Sequence, residues 1–319
     1  MKRFDVTALG ELLIDFTESG VSVQGNLEFE ANPGGAPCNV LSMLSKLGKK
    51  TAFIGKVGDD IFGRMLAATV SDCGINTEGL IFDKTARTTL AFVHTLDEGE
   101  REFSFYRDPG ADMMLSKEDV KEELILSSKI FHFGTLSSTH TNCREATRYA
   151  INIAKENGVT VSFDPNLRES LWNSLDDAKN EIEYGLSKCD VLKISDNELE
   201  FVTGCADLDA AANILRERFP NIKLLLLTLG KDGSRAYFKN IRVDAPAFTD
   251  LKAIEKTGAG DTFMGCALSF LLENSVDDLT EDKLLSLLNF ANAGASIITT
   301  RKGALKVMPS KAEILGLIK

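Results

Sequence analysis

From Thr257 to Asp261 the chain reads Thr257-Gly258-Ala259-Gly260-Asp261: three residues with almost no side chain, then a carboxylate, then the apolar run from Thr262 to Leu272. Small residues let backbone N–H groups turn inward with no Cβ in the way. An apolar helix starting near Thr262 points its positive dipole end at the same spot. This composition offers anion binding, phosphate above all. Asp261 stands where turn meets helix, so the amide dipoles are expected to keep it ionised, with its carboxylate beside whatever the turn holds. A phosphate cradle next to a base is equipment for phosphoryl transfer. Read alone, the same five residues equally describe a tight connection whose aspartate caps a helix.

Other residues offer companions for that chemistry. In Pro33-Gly34-Gly35-Ala36-Pro37-Cys38-Asn39 the two glycines let backbone approach a small ligand, and Asn39 carries both a donor and an acceptor. The alternative is a Pro-Gly loop with an asparagine capping a helix. Asp15 with Asn39 suits the hydroxyl groups of a sugar, whereas Asp15 alone reads as a solvated loop acid. Arg168, closing Asp164-Pro165-Asn166-Leu167-Arg168, is a cation for a transferring phosphoryl group or a surface ion-pair partner. Glu198 either reaches a hydrated magnesium ion or forms a capping box with Ser195. Thr228-Leu229-Gly230-Lys231-Asp232-Gly233 either wraps a nucleotide or turns into a hairpin. There is no G-x-x-x-x-G-K-[ST] and no G-x-G-x-x-G after a strand, so a bound nucleotide must rest its terminal phosphates on Gly258 to Gly260.

The elements that must hold these residues follow from pattern. Apolar runs at Phe4 to Gly10, Thr51 to Val57, Ile130 to Phe133, Thr160 to Asp164, Val191 to Ile194 and Ile222 to Leu229 read as buried strands. They alternate with a helix opened by Pro33 to Asn39 and running through Leu47, and helices near Ile61 to Cys73, Asn142 to Asn157, Ser174 to Ser187, Asp207 to Arg218, Asp261 to Glu273 and Asp282 to Thr300. The expectation is an α/β fold with a doubly wound, mostly parallel sheet covered by helices on both faces. Ligands then gather at the carboxyl ends of the strands, where Asp15, Arg168, Lys193, Thr228 and the glycine turn all fall. Two stretches of alternating pattern, 16–32 and 86–107, with a turn at Asp97-Glu98-Gly99-Glu100, predict a small antiparallel β lid on a core of 1–15, 33–85 and 108–319. An apolar lid face carrying Leu90, Phe92, Phe103 and Phe105 must be covered by substrate or partner, so a lid-to-lid homodimer is expected.

Composition bounds the reading. The 319 residues carry a formal net charge of −11, which argues against a nucleic-acid or anionic-membrane partner. Asp5, Glu11 and Asp15 interrupt what a secretory signal would need, and no run is long enough to span a bilayer, so a cytosolic protein is expected. Six scattered cysteines without C-x-x-C read as buried free thiols, and His94, His132 and His140 show no metal-ligand spacing.

These residues together resemble the ribokinase-like (PfkB) carbohydrate kinases over nearly the whole chain. The amino-terminal signature is Gly34-Gly35-Ala36-Pro37-Cys38-Asn39 with Gly55-Lys56-Val57-Gly58-Asp59-Asp60-Ile61-Phe62-Gly63, and the carboxyl-terminal one is Thr257 to Phe263. Phe105 to Asp112, Asp164 to Arg168 and Lys193 to Glu198 are most similar to the fructokinase branch. The resemblance implies that Asp261 is the base for a sugar's primary hydroxyl and that the amides of Gly258, Ala259 and Gly260 form the anion hole. It places Asp15, Gly34, Gly35, Asn39 and Arg168 at the sugar, with Arg107 or Arg168 as the cation an acid sugar would need. It places Lys193, Thr228, Gly230, Gly233 and Asn292 at ATP, and Glu198 at magnesium through water. Glu255 and Lys256 stand where the family often has an aspartate and a threonine, so potassium activation is not carried over; Lys256 reads as solvated or as a stand-in for the ion's charge. Ser195 replaces the Asn of the family's Asn-x-x-Glu motif. The leading expectation is an ATP-dependent fructose 6-kinase. The alternatives are a 2-keto-3-deoxygluconate kinase or another sugar or nucleoside kinase of the fold, and an inactive regulatory relative.

Overall fold

The computed structural model describes residues 2–95 and 101–319. The expected turn at Asp97 to Glu100 and the side chains of His94 and Phe103 lie outside the described residues. The chain opens with β1 (Phe4–Leu9), crosses the lid strands β2 (Leu13–Val21) and β3 (Leu27–Gly34), and returns through α1 (Ala36–Lys46), β4 (Thr51–Gly58), α2 (Ile61–Asp72) and β5 (Ile75–Asp83). Strands β6 (Leu90–Thr95) and β7 (Arg101–Tyr106) complete the lid. The core continues with α3 (Glu122–Leu126), β8 (Ser128–Phe133), α4 (Thr141–Glu156), β9 (Thr160–Phe163), α5 (Leu175–Leu186) and β10 (Val191–Ser195). It ends with α6 (Asp196–Thr203), α7 (Leu208–Arg218), β11 (Leu224–Thr228), β12 (Ser234–Phe238), β13 (Ile241–Ala245), α8 (Ala259–Glu273), α9 (Glu281–Ile298) and α10 (Lys311–Ile318).

Nine strands form one sheet in the order β13-β12-β11-β10-β9-β8-β1-β4-β5, parallel from β11 to β5 with an antiparallel hairpin at the β13 edge. Strand β11 shows why the sheet needs helices on both faces. Leu224 and Leu226 join the core beneath α1, α8 and α9, while Leu225 and Leu227 join the opposite core beneath α4 to α7, and all four are fully buried. From β1 the chain winds one way through β4 and β5, and from β8 the other way through β9 to β11. The switch between β1 and β8 opens a crevice at their carboxyl ends.

The lid is a second sheet, β3-β2-β6-β7, antiparallel within β2–β3 and β6–β7 and parallel between β2 and β6. Its first strand begins at Leu13, with three residues between it and the end of β1, and β3 ends at Gly34, directly before the Gly35 cap of α1. Register corrects the expected apolar face. Leu90 and Phe92 sit opposite Tyr106 and Ser104, whereas Phe103 and Phe105 sit opposite Val93 and Ala91. Opposed residues share a side, so Leu90 and Phe92 lie on one side and Phe105 on the other. One side turns Leu13, Val93 and Phe105 toward the crevice. The other stacks Phe16 on Phe92 at 4.9 Å, with Tyr106 edge-on to Phe92 at 5.3 Å.

Candidate active site

The crevice between lid and sheet edge is a cavity of about 260 Å³. Strand β2 supplies Asp15, and the junction of β3 with α1 supplies Gly34, Gly35 and Asn39. The segment after β9 supplies Asn166 and Arg168, β10 supplies Lys193, and the turn before α8 supplies Thr257 to Asp261. Local sequence explains these placements. Gly34 is needed because a Cβ there would lie 2.4 Å from Asp15 Oδ2, and Gly35, at φ 126°, because a Cβ would lie 2.4 Å from the Glu11 carbonyl oxygen. Gly258 caps α8 in the left-handed region at φ 76°, and a Cβ there would meet Ala304 Cβ at 2.6 Å. The cap is therefore Gly258, and Asp261 lies one turn into the helix with its carboxylate free for other work.

That carboxylate is buried. Its Oδ2 accepts from Asn39 Nδ2 at 2.8 Å and its Oδ1 from Asn166 Nδ2 at 3.4 Å. Burial raises the Asp261 carboxyl above its ordinary range, although the Asn39 hydrogen bond and the charges of Lys193 and Arg168 pull it down. The sequence reading had the helix end and amide dipoles keep it ionised; burial acts against that, and a carboxylate raised above its ordinary range accepts a proton more readily. The N–H groups of Gly258, Gly260 and Asp261 have no protein acceptor among the described residues, while that of Ala259 donates to the Lys256 carbonyl at 3.3 Å. The amides left open toward the cavity are thus those of Gly258, Gly260 and Asp261, whereas the expectation had named Gly258, Ala259 and Gly260.

Several expected contacts have other duties. Arg107 does not line the cavity: it is buried, paired with Asp112 at 2.6 Å, and donates to Thr139 Oγ1 and the Leu136 carbonyl. Asn292 donates to the carbonyls of Ala245 and Pro246 and accepts from Ser234 Oγ, closing its amide inside the protein between α9 and the β12–β13 hairpin. Gly233, at φ 98°, is required by the Ala245 to Ala247 backbone, which a Cβ would strike at 2.1 Å. Thr228 leans on the Ile194 carbonyl, and Gly230, with Lys231 and Asp232, is exposed, with nothing within 4 Å of a Cβ built on it. Among the described residues no three His, Cys, Asp or Glu side chains converge on a metal position. Glu198 forms the capping box: Oε1 accepts from Leu167 N, and Oε2 from both Ser195 N and Ser195 Oγ. Burial would raise it, but Lys193 and these donors hold it below the usual range. Three of about four lone-pair positions are filled, which leaves room for one water of a hydrated ion.

Two site residues went unassigned in the sequence. Asn166 adopts φ 51°, which asparagine tolerates better than most, and this turns its amide toward Asp261. Its signal was the Asp-Pro-Asn turn after a strand. Glu11 lines the cavity wall, almost fully buried, with Oε1 accepting from Ala36 N at 2.7 Å; its signal was an acid placed directly after a buried strand. Asn39 Oδ1 is buried with no partner among the described residues, an acceptor waiting at the cavity wall.

Comparison with known proteins fits this geometry. The pattern defining pfkB family carbohydrate kinases matches residues 3–311. A probable fructokinase-2 of Arabidopsis thaliana is 45% identical over 316 residues, covering 98% of this chain and 95% of its own. The structure of a Xylella fastidiosa fructokinase with bound ATP superimposes with a TM-score of 0.90 at 32% identity, covering 98% of each chain. A double mutant of a Vibrio cholerae O395 fructokinase, in a fructose, ADP and potassium ion bound form, superimposes with a TM-score of 0.89 at 29% identity over 100% of each chain. With the family's pattern running through both the Gly34 to Asn39 segment and the turn at Asp261, this chain belongs to the pfkB family of carbohydrate kinases.

Proposed function

We propose that the protein transfers the γ-phosphoryl group of ATP to the primary 6-hydroxyl of fructose, giving fructose 6-phosphate and ADP. One observation carries this reading: a buried carboxylate, Asp261, stands beside backbone N–H groups that have no acceptor among the described residues, at the end of a cavity lined by Asp15, Asn39 and Asn166. Asp261 takes the hydroxyl proton as the sugar oxygen attacks the γ-phosphorus. The bond from phosphorus to the bridging oxygen breaks, and ADP leaves with that electron pair. The N–H groups of Gly258, Gly260 and Asp261 meet the negative charge on the transferring group, and Lys193 and Arg168 bring cations from the cavity wall. Asp15, Asn39 and the backbone at Gly34 and Gly35 orient the sugar, and the lid side of Leu13, Val93 and Phe105 excludes water. Gly230 offers open backbone to the nucleotide. Magnesium, when bound with the nucleotide, neutralises phosphate charge, and Glu198 would hold one of its waters.

The names of the relatives favour fructose. An acid sugar such as 2-keto-3-deoxygluconate needs a cation for its carboxylate; Arg107 is committed to Asp112, which leaves Arg168 at the cavity wall for that reading. Lys256 already brings a cation to the turn, so turnover without added potassium is expected. All six cysteines are free thiols, in keeping with a cytoplasmic setting. No helix among the described residues is long and apolar enough to cross a membrane. We also infer a homodimer through the outer side of the lid. ADP release measured over a panel of fructose, 2-keto-3-deoxygluconate, ribose and adenosine tests the assignment. Fructose should dominate, and Asp261→Ala should lose about a thousandfold in kcat while fructose still binds. Nucleotide binding with no turnover on any sugar would favour the inactive regulator.

A further inference from the structure

Asp164 follows β9 and is almost fully buried. Its Oδ1 accepts from Lys193 Nζ at 3.1 Å, and its Oδ2 is buried with no hydrogen-bond partner among the described residues. An interior carboxylate with an orphaned oxygen costs stability, and an apolar pair would hold β9 against β10 at least as well. The burden therefore points to what the carboxylate does for its partner.

Lys193 rises from β10 into the cavity wall, and a Cβ on Gly260 would stand 3.0 Å from its Nζ. The ammonium thus lies against the turn in which the N–H groups of Gly258, Gly260 and Asp261 have no acceptor among the described residues. Of its three donors, one goes to Asp164, which leaves two for an arriving anion. Three carboxylates compete for this cation. Burial lowers the Lys193 amine, and the charges of Asp164, Glu198 and Asp261 more than reverse that. Glu198 is already filled by the capping box, so Asp261 is the destination left open if Asp164 lets go. An ammonium resting on Asp261 would stabilise its ionised form and weaken it as a base.

We propose that Asp164 is a positioning residue that anchors Lys193 beneath the turn, where the ammonium meets the transferring phosphoryl group and is kept off the catalytic carboxylate. This rests on the reading of Lys193 as a phosphate-binding cation. Burial, with Glu198 and Asp261 adding to it, pushes the Asp164 carboxyl up to about 7, against the pull of Lys193. The anchor is therefore strongest when the pair is ionised together.

The test is a double-mutant cycle on the full chain, following kcat, KM for fructose and ATP, and the pH profile of kcat/KM in Asp164→Asn, Lys193→Met and the double variant. Asp164→Asn should lower kcat about 100-fold with fructose KM little changed. Its acidic limb should move to lower pH as Lys193 swings to Asp261. In the Lys193→Met background the same substitution should change kcat less than about threefold. If Asp164→Asn lowers thermal stability but leaves kcat and the pH profile unchanged, or if the two losses multiply, the anchoring role is overturned. Full activity in Lys193→Met would instead overturn the phosphate role of Lys193 beneath it. Should Asp164→Asn fail to fold, the double variant still decides, because it removes both charges together: activity equal to that of Lys193→Met supports the anchor, and a further large loss rejects it.

Discussion

Asn39, on the first turn of α1, donates from Nδ2 to Asp261 Oδ2 at 2.8 Å across 222 residues of sequence. This bond ties the two signature segments together and favours the ionised carboxylate, partly offsetting the effect of burial. Asn39→Ala should therefore raise the Asp261 carboxyl further and shift the acidic limb of kcat/KM to higher pH. It should also lower kcat/KM about 10- to 100-fold, because the carboxylate loses its orienting donor and the sugar loses the Oδ1 acceptor. A pH–rate profile of the variant checks both, and an unmoved acidic limb would disconnect Asn39 from the base.

Arg107 gives the opposite pattern. Its guanidinium and the Asp112 carboxylate are each only 3% exposed, so removing one leaves the other charged and unpaired in the interior. Arg107→Met should lose about 3–5 kcal/mol of stability. The folded fraction should keep a fructose KM near that of the wild type. Denaturant unfolding with kinetics on the same preparation separates the two effects; a raised KM with stability intact would return Arg107 to the sugar.

Those two residues mark what the sequence could and could not convey. The turn at Gly258, the base at Asp261 and the paired glycines before Asn39 are short-range patterns in which neighbours along the chain are neighbours in space. Strand β11 announced itself through continuous apolar composition. Strand β5 and helix α10 went unassigned: Ile75 to Asp83 mixes polar and apolar residues without regular alternation, and α10 is only two turns long. The duties of Arg107 and Asn292 depend on acceptors brought in by tertiary packing, Leu136 and Thr139 for one, Ala245 and Pro246 for the other. The upward push of burial on the Asp261 carboxyl was not legible, because helix dipole and burial oppose each other and burial is visible only after folding.

Glu11 yields a prediction for stability against pH. Burial pushes its carboxyl up to about 7, against the donors at Glu11 and Ala36 and with Asp112 adding to the rise. The unfolded chain holds it at the ordinary carboxylate value, so between that value and about 7 the folded state binds more protons. The stability this contributes is present in full at low pH and is lost as pH rises through 7. Glu11→Gln keeps an acceptor for the Ala36 N–H but cannot ionise. It should match the wild type near pH 4 and exceed it by about 1–3 kcal/mol at pH 8. Thermal melts at the two pH values decide, and equal melting shifts at both would remove ionisation as the cause.

The outer side of the lid offers the last test. Leu27 and Tyr106 share it with Phe16 and Phe92 and are 57% and 67% exposed, unlike the crevice side, whose Val93 is buried. Contiguous aromatic and aliphatic surface on a sheet that stands off the core is stabilised when a second copy covers it. The wild type should therefore elute at twice the chain mass in size-exclusion chromatography. Tyr106→Glu, which puts a charge on that side and leaves the cavity lining untouched, should shift it to the monomer mass. Because β6 and β7 also carry Val93 and Phe105 into the cavity, a lid freed from its partner should hold the sugar less firmly. Fructose KM in Tyr106→Glu should then rise about tenfold with kcat nearly unchanged. A monomeric wild type, or a variant that stays dimeric, would place any self-association on another surface.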